Sequence, residues 1–104
     1  MPSFLTKKQV YDWILTGEKT IELRKGNLQR GDCISFLSGQ RKCLKGRILR
    51  KCEGKLEDVL NIATYEKIIP TAKTLDDAVE FIRQLYQSTD GMFTIYEFQL
   101  NQEY

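Results

Sequence analysis

Three charged residues close to the N-terminus have the types and the spacing to bind an anionic ligand. Lys19, Glu22 and Arg24 lie in the segment KTIELRK, whose apolar and polar residues alternate as they do in a β-strand. Strand geometry places Glu22 and Arg24 on one face, roughly 7 Å apart. The segment predicts one of two arrangements. Either Lys19 and Arg24 line a cleft and donate hydrogen bonds to an anion, or the strand has a solvent-facing surface with an ordinary Glu22–Arg24 ion pair. The residue pattern alone favours the solvent-facing surface.

The composition excludes several kinds of chemistry. The chain contains no histidine, which excludes a Ser-His-Asp triad and a histidine general base. Cys33, Cys43 and Cys52 form no C-x-x-C pair and are odd in number, so neither a zinc site nor a disulfide framework is expected. We interpret them as small apolar residues in strands, and we expect no metal and no cofactor.

Charge is distributed unevenly along the sequence. Residues 1–51 contain twelve Lys or Arg and four Asp or Glu, whereas residues 52–104 contain four and ten. A basic N-terminal half indicates a polyanionic partner, unless the two halves neutralise each other on folding; we weigh these alternatives evenly. Part of the positive charge falls on the strand predicted at 42–52, where strict alternation places Lys45, Arg47 and Lys51 on one face. That face is either a solvated exterior or a surface that follows phosphates.

The length and hydropathy indicate one domain over residues 1–104. No apolar run approaches the ~18 residues that span a bilayer, and the N-terminus lacks the apolar core of a signal peptide. We therefore expect a cytoplasmic protein that is not bound to a membrane.

The order of predicted elements indicates an α+β fold. Thr6 and Gln9 form a capping-box pattern and Gly17 a left-handed C-cap, which together predict a helix over 6–16. Thr74 predicts the N-cap of a longer helix over 75–87. Gly46 predicts a bulge or a tight bend. Strands are predicted at 19–25, 32–37, 42–52 and 92–100, and short helices at 56–60 and 64–68. No parallel βαβ unit is present, so we predict a small, mostly antiparallel β-barrel flanked by helices.

Weaker candidates for a ligand site lie outside the first predicted strand. Ser38 and Arg41 belong to a predicted strand-end loop, where a base can be contacted but where a plain hairpin turn is more common. Tyr65 and Lys67 are placed to flank a cleft. Trp13 is interpreted as a core or rim residue rather than as a base reader.

A pattern formed by four residues of the segment KTIELRK and the turn before it is similar to that of a known family. The pattern G-x-K-x-x-E-x-R, formed by Gly17, Lys19, Glu22 and Arg24, resembles the signature segment of ASCH domains. Three further segments resemble the family in order, so that the resemblance covers about residues 5–100: RGDCISF, YEKIIP and FTIYEF.

The resemblance implies a PUA-like β-barrel with a basic cleft lined by the signature strand. It implies an RNA or a nucleotide-like ligand and a role in RNA metabolism or regulation. Lys19 and Arg24 would then bind a phosphate or a base edge. Glu22 would accept from an exocyclic amine or orient Arg24. Ser38, Arg41, Tyr65 and Lys67 complete the candidate ligand-binding set.

Two other function classes remain open. Some small ASCH-like proteins are amidohydrolases of acetylcytidine that use a lysine, a threonine and a glutamate, and a few are ribonucleases. Lys19 matches the lysine, but Glu22 replaces the threonine, and Glu66 is the nearby carboxylate that could substitute for the glutamate. The catalytic set is therefore incomplete, and Lys19 and Glu22 are the candidate pair if the chain is an enzyme. The third class is a protein-interaction adaptor that uses the helix over 75–87.

Overall fold

The computed structural model describes residues 2–39 and 42–101, and within these ranges the chain forms five strands and four helices. No helix among them is both long and apolar enough to cross a membrane. In chain order the elements are β1 (Ser3–Leu5), α1 (Lys8–Thr16), β2 (Ile21–Lys25), β3 (Cys33–Ser38), β4 (Lys42–Gly54), α2 (Leu56–Val59), α3 (Tyr65–Ile68), α4 (Leu75–Tyr86) and β5 (Phe93–Leu100).

The strands form one mixed sheet in the order β1-β3-β4-β5-β2, curved into a half-barrel. β1 runs parallel to β3, and the other three pairings are antiparallel. β1 and β2 are therefore the two edge strands, and no ladder of the described residues joins them. The predicted α+β class with a mostly antiparallel sheet is confirmed, and the half-barrel is open between β1 and β2. We call this opening the seam.

The apolar residues divide between the two faces of the curved sheet. Inside the half-barrel, α1 packs its Ile14 against aromatic residues of the strands, and we call this cluster the barrel core: Phe4, Ile14, Ile34, Phe36, Tyr96 and Phe98. On the other face of β2 and β5, the three later helices bury a second cluster, the helix-side core, which includes Ile21, Leu23, Leu60, Ile68, Ile82 and Phe93. β2 thus contributes to a closely packed region on both of its faces.

The start of α1 differs from the prediction. The predicted capping box is wrong, because the helix begins at Lys8 and its N-cap, Lys7, makes no side-chain cap hydrogen bond. The Thr6 hydroxyl instead donates to the carbonyl of Leu37 on β3, at 3.1 Å. This bond anchors the end of β1, a strand that the sequence did not predict. The predicted C-cap is confirmed, since Gly17 has a φ of 85° in the left-handed region.

β4 is irregular at a different position from the one predicted. The register shifts between Ile48 and Arg50, so the bulge is not at Gly46. Beyond this shift Lys51 pairs with Tyr96, whose side chain lies inside the half-barrel, and the prediction that Lys51 shares a face with Lys45 and Arg47 is wrong. Gly46 is required for another reason: a Cβ atom at this position would lie 2.5 Å from the carbonyl oxygen of Gln99.

Candidate ligand-binding cavity

A cavity of about 160 Å³ lies at the seam of the half-barrel. Its polar wall comes from the edge strands β1 and β2, and helices α1, α3 and α4 supply the remaining walls. Most of the lining side chains are apolar or aromatic, among them Val10, Trp13, Ile69, Ile82 and Tyr86. We call this space the seam cavity.

The turn after α1 delivers the first charged residue to the cavity. Gly17 reverses the chain in the left-handed conformation, and its N–H donates to the carbonyl of Ile14. The N–H of Lys19 then donates to the carbonyl of Trp13 at 3.0 Å, while Thr20 is bonded to Lys67 of α3. Because Lys19 and Thr20 are held from two sides, the chain enters β2 in a fixed register.

Lys19 is buried at the bottom of this turn, with 4% of its surface exposed. Its ammonium group donates to the carbonyl of Ile68 at 2.6 Å, and lies 3.6 Å from Oε1 of Glu22. Burial lowers the pKa of Lys19 from its ordinary value, and the attraction of the Glu22 carboxylate opposes this effect only in part.

Glu22 lies between two cations. It is 5% exposed, and its Oε2 atom is 3.4 Å from Nη2 of Arg24. The expectation of a solvent-facing Glu–Arg pair is therefore wrong. α1 and α3 cover this end of β2, and they bury the polar face of the strand as well as its apolar face.

Arg24 connects the two edges of the sheet. Its Nη2 atom also donates to the carbonyl of Leu5 on β1, at 3.2 Å, and its guanidinium lies 4.5 Å from the centre of the Phe4 ring. The Nε atom is buried without an acceptor among the described residues, and Nη1 donates to none of them. A buried donor without a partner costs about 1–3 kcal/mol, so this guanidinium has hydrogen-bonding capacity that a ligand can satisfy.

The electrostatic character of the cavity is more balanced than the sequence indicates. One carboxylate faces two buried or half-buried cations, and the surrounding walls are largely apolar. Burial also raises the pKa of the Tyr86 hydroxyl, against the opposing effect of Arg24, so this group stays protonated. The seam cavity thus suits a partly apolar ligand with a polar edge better than it suits an isolated phosphate.

The structure brings together three of the seven predicted ligand-binding residues. Lys19, Glu22 and Arg24 line the seam cavity. Ser38 is buried at the end of β3 and Tyr65 belongs to the helix-side core, and neither lines the cavity. Lys67 is exposed on α3 and does not line it either. Arg41 lies outside the described residues.

Sequence reasoning did not assign α4 to the site. Phe81, Leu85 and Tyr86 line the cavity, and the first two are partly exposed at its mouth. Phe81 and Leu85 could have indicated this wall in the sequence, because large apolar residues at the edge of a helix's buried face often border a ligand site. Trp13, interpreted as a core or rim residue, is both buried and part of the cavity wall.

The described residues contain no cluster of three or more Cys, Asp or Glu that could hold a metal ion. Glu22 supplies the one carboxylate among the described residues that line the seam cavity, and it is already flanked by two cations. The arrangement can therefore orient and hydrogen-bond an organic ligand, through two kinds of donor and one acceptor.

Comparison with solved structures identifies the architecture. A hypothetical protein, PH0355, superposes with a TM-score of 0.75 at 17% identity, over 95% of this chain and 97% of the other. The ASCH protein from Zymomonas mobilis superposes with a TM-score of 0.67 at 13% identity, over 93% of this chain and 65% of its own length. A point mutant of that ASCH protein gives a TM-score of 0.68 at 12% identity.

The chain has the fold of ASCH domains. No family model matches its sequence, and no curated protein does. The likeness to ASCH domains is therefore one of fold, at sequence identities too low to transfer residue roles. This chain spans about two thirds of the Zymomonas mobilis protein and nearly all of PH0355.

Proposed function

We propose that this chain binds RNA and receives one unpaired nucleobase, or a free nucleoside, in the seam cavity. The observation that carries the proposal is the combination of a fixed Glu22–Arg24 pair with apolar and aromatic walls. A base has the same combination: two flat apolar faces and an edge of donors and acceptors.

The size of the cavity supports one ring system. An apolar cavity of roughly 150 Å³ accommodates benzene, so about 160 Å³ suits a single base rather than a dinucleotide. The Arg24 guanidinium is held against the Phe4 ring, and its Nη1 atom, which donates to no described residue, is available to a ligand. Glu22 supplies the acceptor for an exocyclic amine, and Trp13 and Tyr86 supply apolar surface.

Three cysteines with free thiols fit a reducing compartment, and we place the activity in the cytoplasm. The ASCH fold of the chain and the excess of cations in its N-terminal half also support a nucleic-acid ligand.

A titration with labelled, mixed-sequence single-stranded RNA tests the proposal. Arg24→Lys keeps the positive charge but loses the planar fork, so it separates base recognition from simple charge attraction. We expect Arg24→Lys to bind the RNA tenfold to hundredfold more weakly than the wild type, since a hydrogen bond to a charged group contributes about 1.5–3 kcal/mol. The control is Arg83→Lys on the exposed side of α4, which should bind as the wild type does. Wild-type protein that binds neither RNA nor nucleosides at low salt would overturn the proposal.

One observation favours a second candidate, an acid–base enzyme acting on a modified nucleoside or on RNA. A lysine whose pKa is lowered by burial, beside a buried carboxylate, is typical of active sites. Two candidate catalytic partners are engaged elsewhere: the Thr6 hydroxyl donates to the carbonyl of Leu37, and the exposed Glu66 carboxylate accepts from Tyr65 away from the cavity. Incubation with acetylcytidine and with labelled RNA decides the matter. Turnover by the wild type that is lost in Lys19→Met would establish that the chain is an enzyme. If neither substrate changes, binding remains as the function.

A further inference from the structure

A second surface of the sheet continues from the mouth of the seam cavity. Residues paired directly across neighbouring strands share a face. Starting at β1, the pairings cross β3 to β4 and give a patch that we call the outer sheet face, on the side opposite the barrel core. Its rows are Leu5–Leu37–Cys43, Ser3–Ser35–Lys45 and Cys33–Arg47–Gln99.

The outer sheet face is open to solvent. Eight of its nine residues are exposed, and the ninth, Ser35, is a small side chain between larger neighbours. Leu5 is 74% exposed and Leu37 is 39% exposed, although both have apolar side chains. The two residues are direct neighbours across β1 and β3, so they form a small contiguous apolar surface that a ligand can cover.

Leu5 belongs to both features. It lines the seam cavity, and its carbonyl accepts from Arg24. The cavity and the outer sheet face are therefore continuous at this residue. The distance from β1 to β4 is two strand spacings, or about 10 Å. A stacked single strand that rises ~3.4 Å per nucleotide covers this distance with about three nucleotides.

The charge on the far side of the face is positive. Lys45 and Arg47 are both exposed, lie two residues apart on β4, and form no ion pair with a described residue. Arg47 donates to the neutral side chain of Gln99 at 3.2 Å. Arg50, beyond the bulge, is partly neutralised by Glu97 at 3.5 Å and adds less.

We propose that the outer sheet face carries the backbone of a single-stranded RNA whose unpaired base occupies the seam cavity. The proposal rests on the proposed function and adds a path for the strand. Bases that follow the one in the cavity pack against the apolar row that begins at Leu5 and Leu37, and Lys45 and Arg47 contact the phosphates. The unpaired cations favour a polyanion over an apolar protein partner, and the open cavity beside them favours a strand with a splayed base.

Binding of a nucleoside and of an octanucleotide, each measured by quenching of Trp13 or by anisotropy, tests the path. The test variant is the double substitution Lys45→Glu and Arg47→Glu. The control is Lys73→Glu with Arg83→Glu, which makes the same change in charge at exposed positions outside the face. Both pairs leave the residues of the seam cavity in place.

We expect the wild type to bind the octanucleotide at least tenfold more tightly than the nucleoside. The test variant should lose that advantage. The slope of its log affinity for the octanucleotide against log salt concentration should become shallower by about 1.4, at ~0.7 for each lost phosphate contact on a single strand. Its affinity for the nucleoside should stay unchanged, and the control should behave as the wild type does.

Three results would overturn the path while the proposed function stands. One is a wild type that binds the nucleoside as tightly as the octanucleotide. A second is an equal loss in the test variant and the control, which would reduce the effect to net charge. Octanucleotide binding that is unaffected in both variants assigns the face to another partner and also overturns the proposal. Wild type that binds neither ligand overturns the proposed function itself.

Discussion

At the scale of single residues, the seam is held by a chain of three charges, of which Lys19 and Glu22 are buried and Arg24 is half-buried. Lys19, Glu22 and Arg24 alternate in sign, and each contacts the next at 3.4–3.6 Å. Desolvation of such groups is costly, and their mutual attraction offsets it only while all partners remain. The arrangement resembles a site kept for binding rather than for stability, since well-packed apolar residues would hold the same turn at lower cost.

Replacement of the central carboxylate tests that interpretation. Glu22→Gln keeps the shape but leaves Lys19 and Arg24 without their counter-charge, so the free energy of unfolding should fall by about 3 kcal/mol. Urea denaturation measures it. The double variant Lys19→Met with Glu22→Gln should lose less than the sum of the two single changes. The exposed pair on α4 gives the control, since Glu80→Gln should cost less than about 1 kcal/mol. Equal losses for Glu22→Gln and Glu80→Gln would contradict this chain of charges.

The lowered pKa of Lys19 predicts a pH dependence of stability. The unfolded chain keeps the ordinary pKa of 10.5, so between the folded value and 10.5 it holds more protons on this residue than the folded chain does. The free energy of unfolding therefore gains a contribution that rises with pH across this window and is absent at lower pH. Lys19→Met removes the contribution. The difference in stability between wild type and variant, followed by urea denaturation, should change in favour of the wild type as the pH becomes alkaline. Parallel pH profiles would show that Lys19 titrates normally.

At the scale of elements, local signals predicted most of the chain. The Thr74 side chain accepts from the N–H of Asp77 at 3.1 Å, as its N-cap pattern predicts, and the final strand predicted at 92–100 and the αL glycine after α1 are confirmed. β1 was missed because three residues carry no periodicity, and its partner, β3, lies about thirty residues away. Neither is a property of the local sequence. The role of Gly46 was not predicted for the same reason, because it depends on the close approach of β5, which is distant in sequence.

The close approach of β5 predicts the effect of one methyl group. In Gly46→Ala the new Cβ would meet the Gln99 carbonyl at 2.5 Å, so β4 and β5 must separate locally. We expect a loss of about 1–3 kcal/mol in the free energy of unfolding, as for other overpacked sites. Lys45→Ala, next to it on the exposed face, is the matched control and should stay within about 0.5 kcal/mol of wild type. A Gly46→Ala variant as stable as this control would show that the strands do not meet here.

At the scale of the whole molecule, the half-barrel leaves its two edge strands apart, and the cavity occupies the gap. Sequence reasoning placed Lys19, Glu22 and Arg24 together, because they share one short segment. It did not predict their burial or the apolar wall from α4, since both depend on how α1, α3 and α4 close around the seam. The predicted basic cleft is instead a small, mostly apolar cavity with a balanced polar edge, and further cations lie on the outer sheet face.

The most direct test of the seam cavity is a map of amide and indole NMR shifts as single-stranded RNA is added. The chain has one tryptophan, Trp13, whose indole signal reports on the cavity wall. We expect the largest shifts at Trp13, Glu22, Arg24 and Leu85, and none at the groove between α2 and α4, near Asn61 and Val79. Shifts concentrated in that groove, with the Trp13 indole unmoved at saturating RNA, would contradict the account.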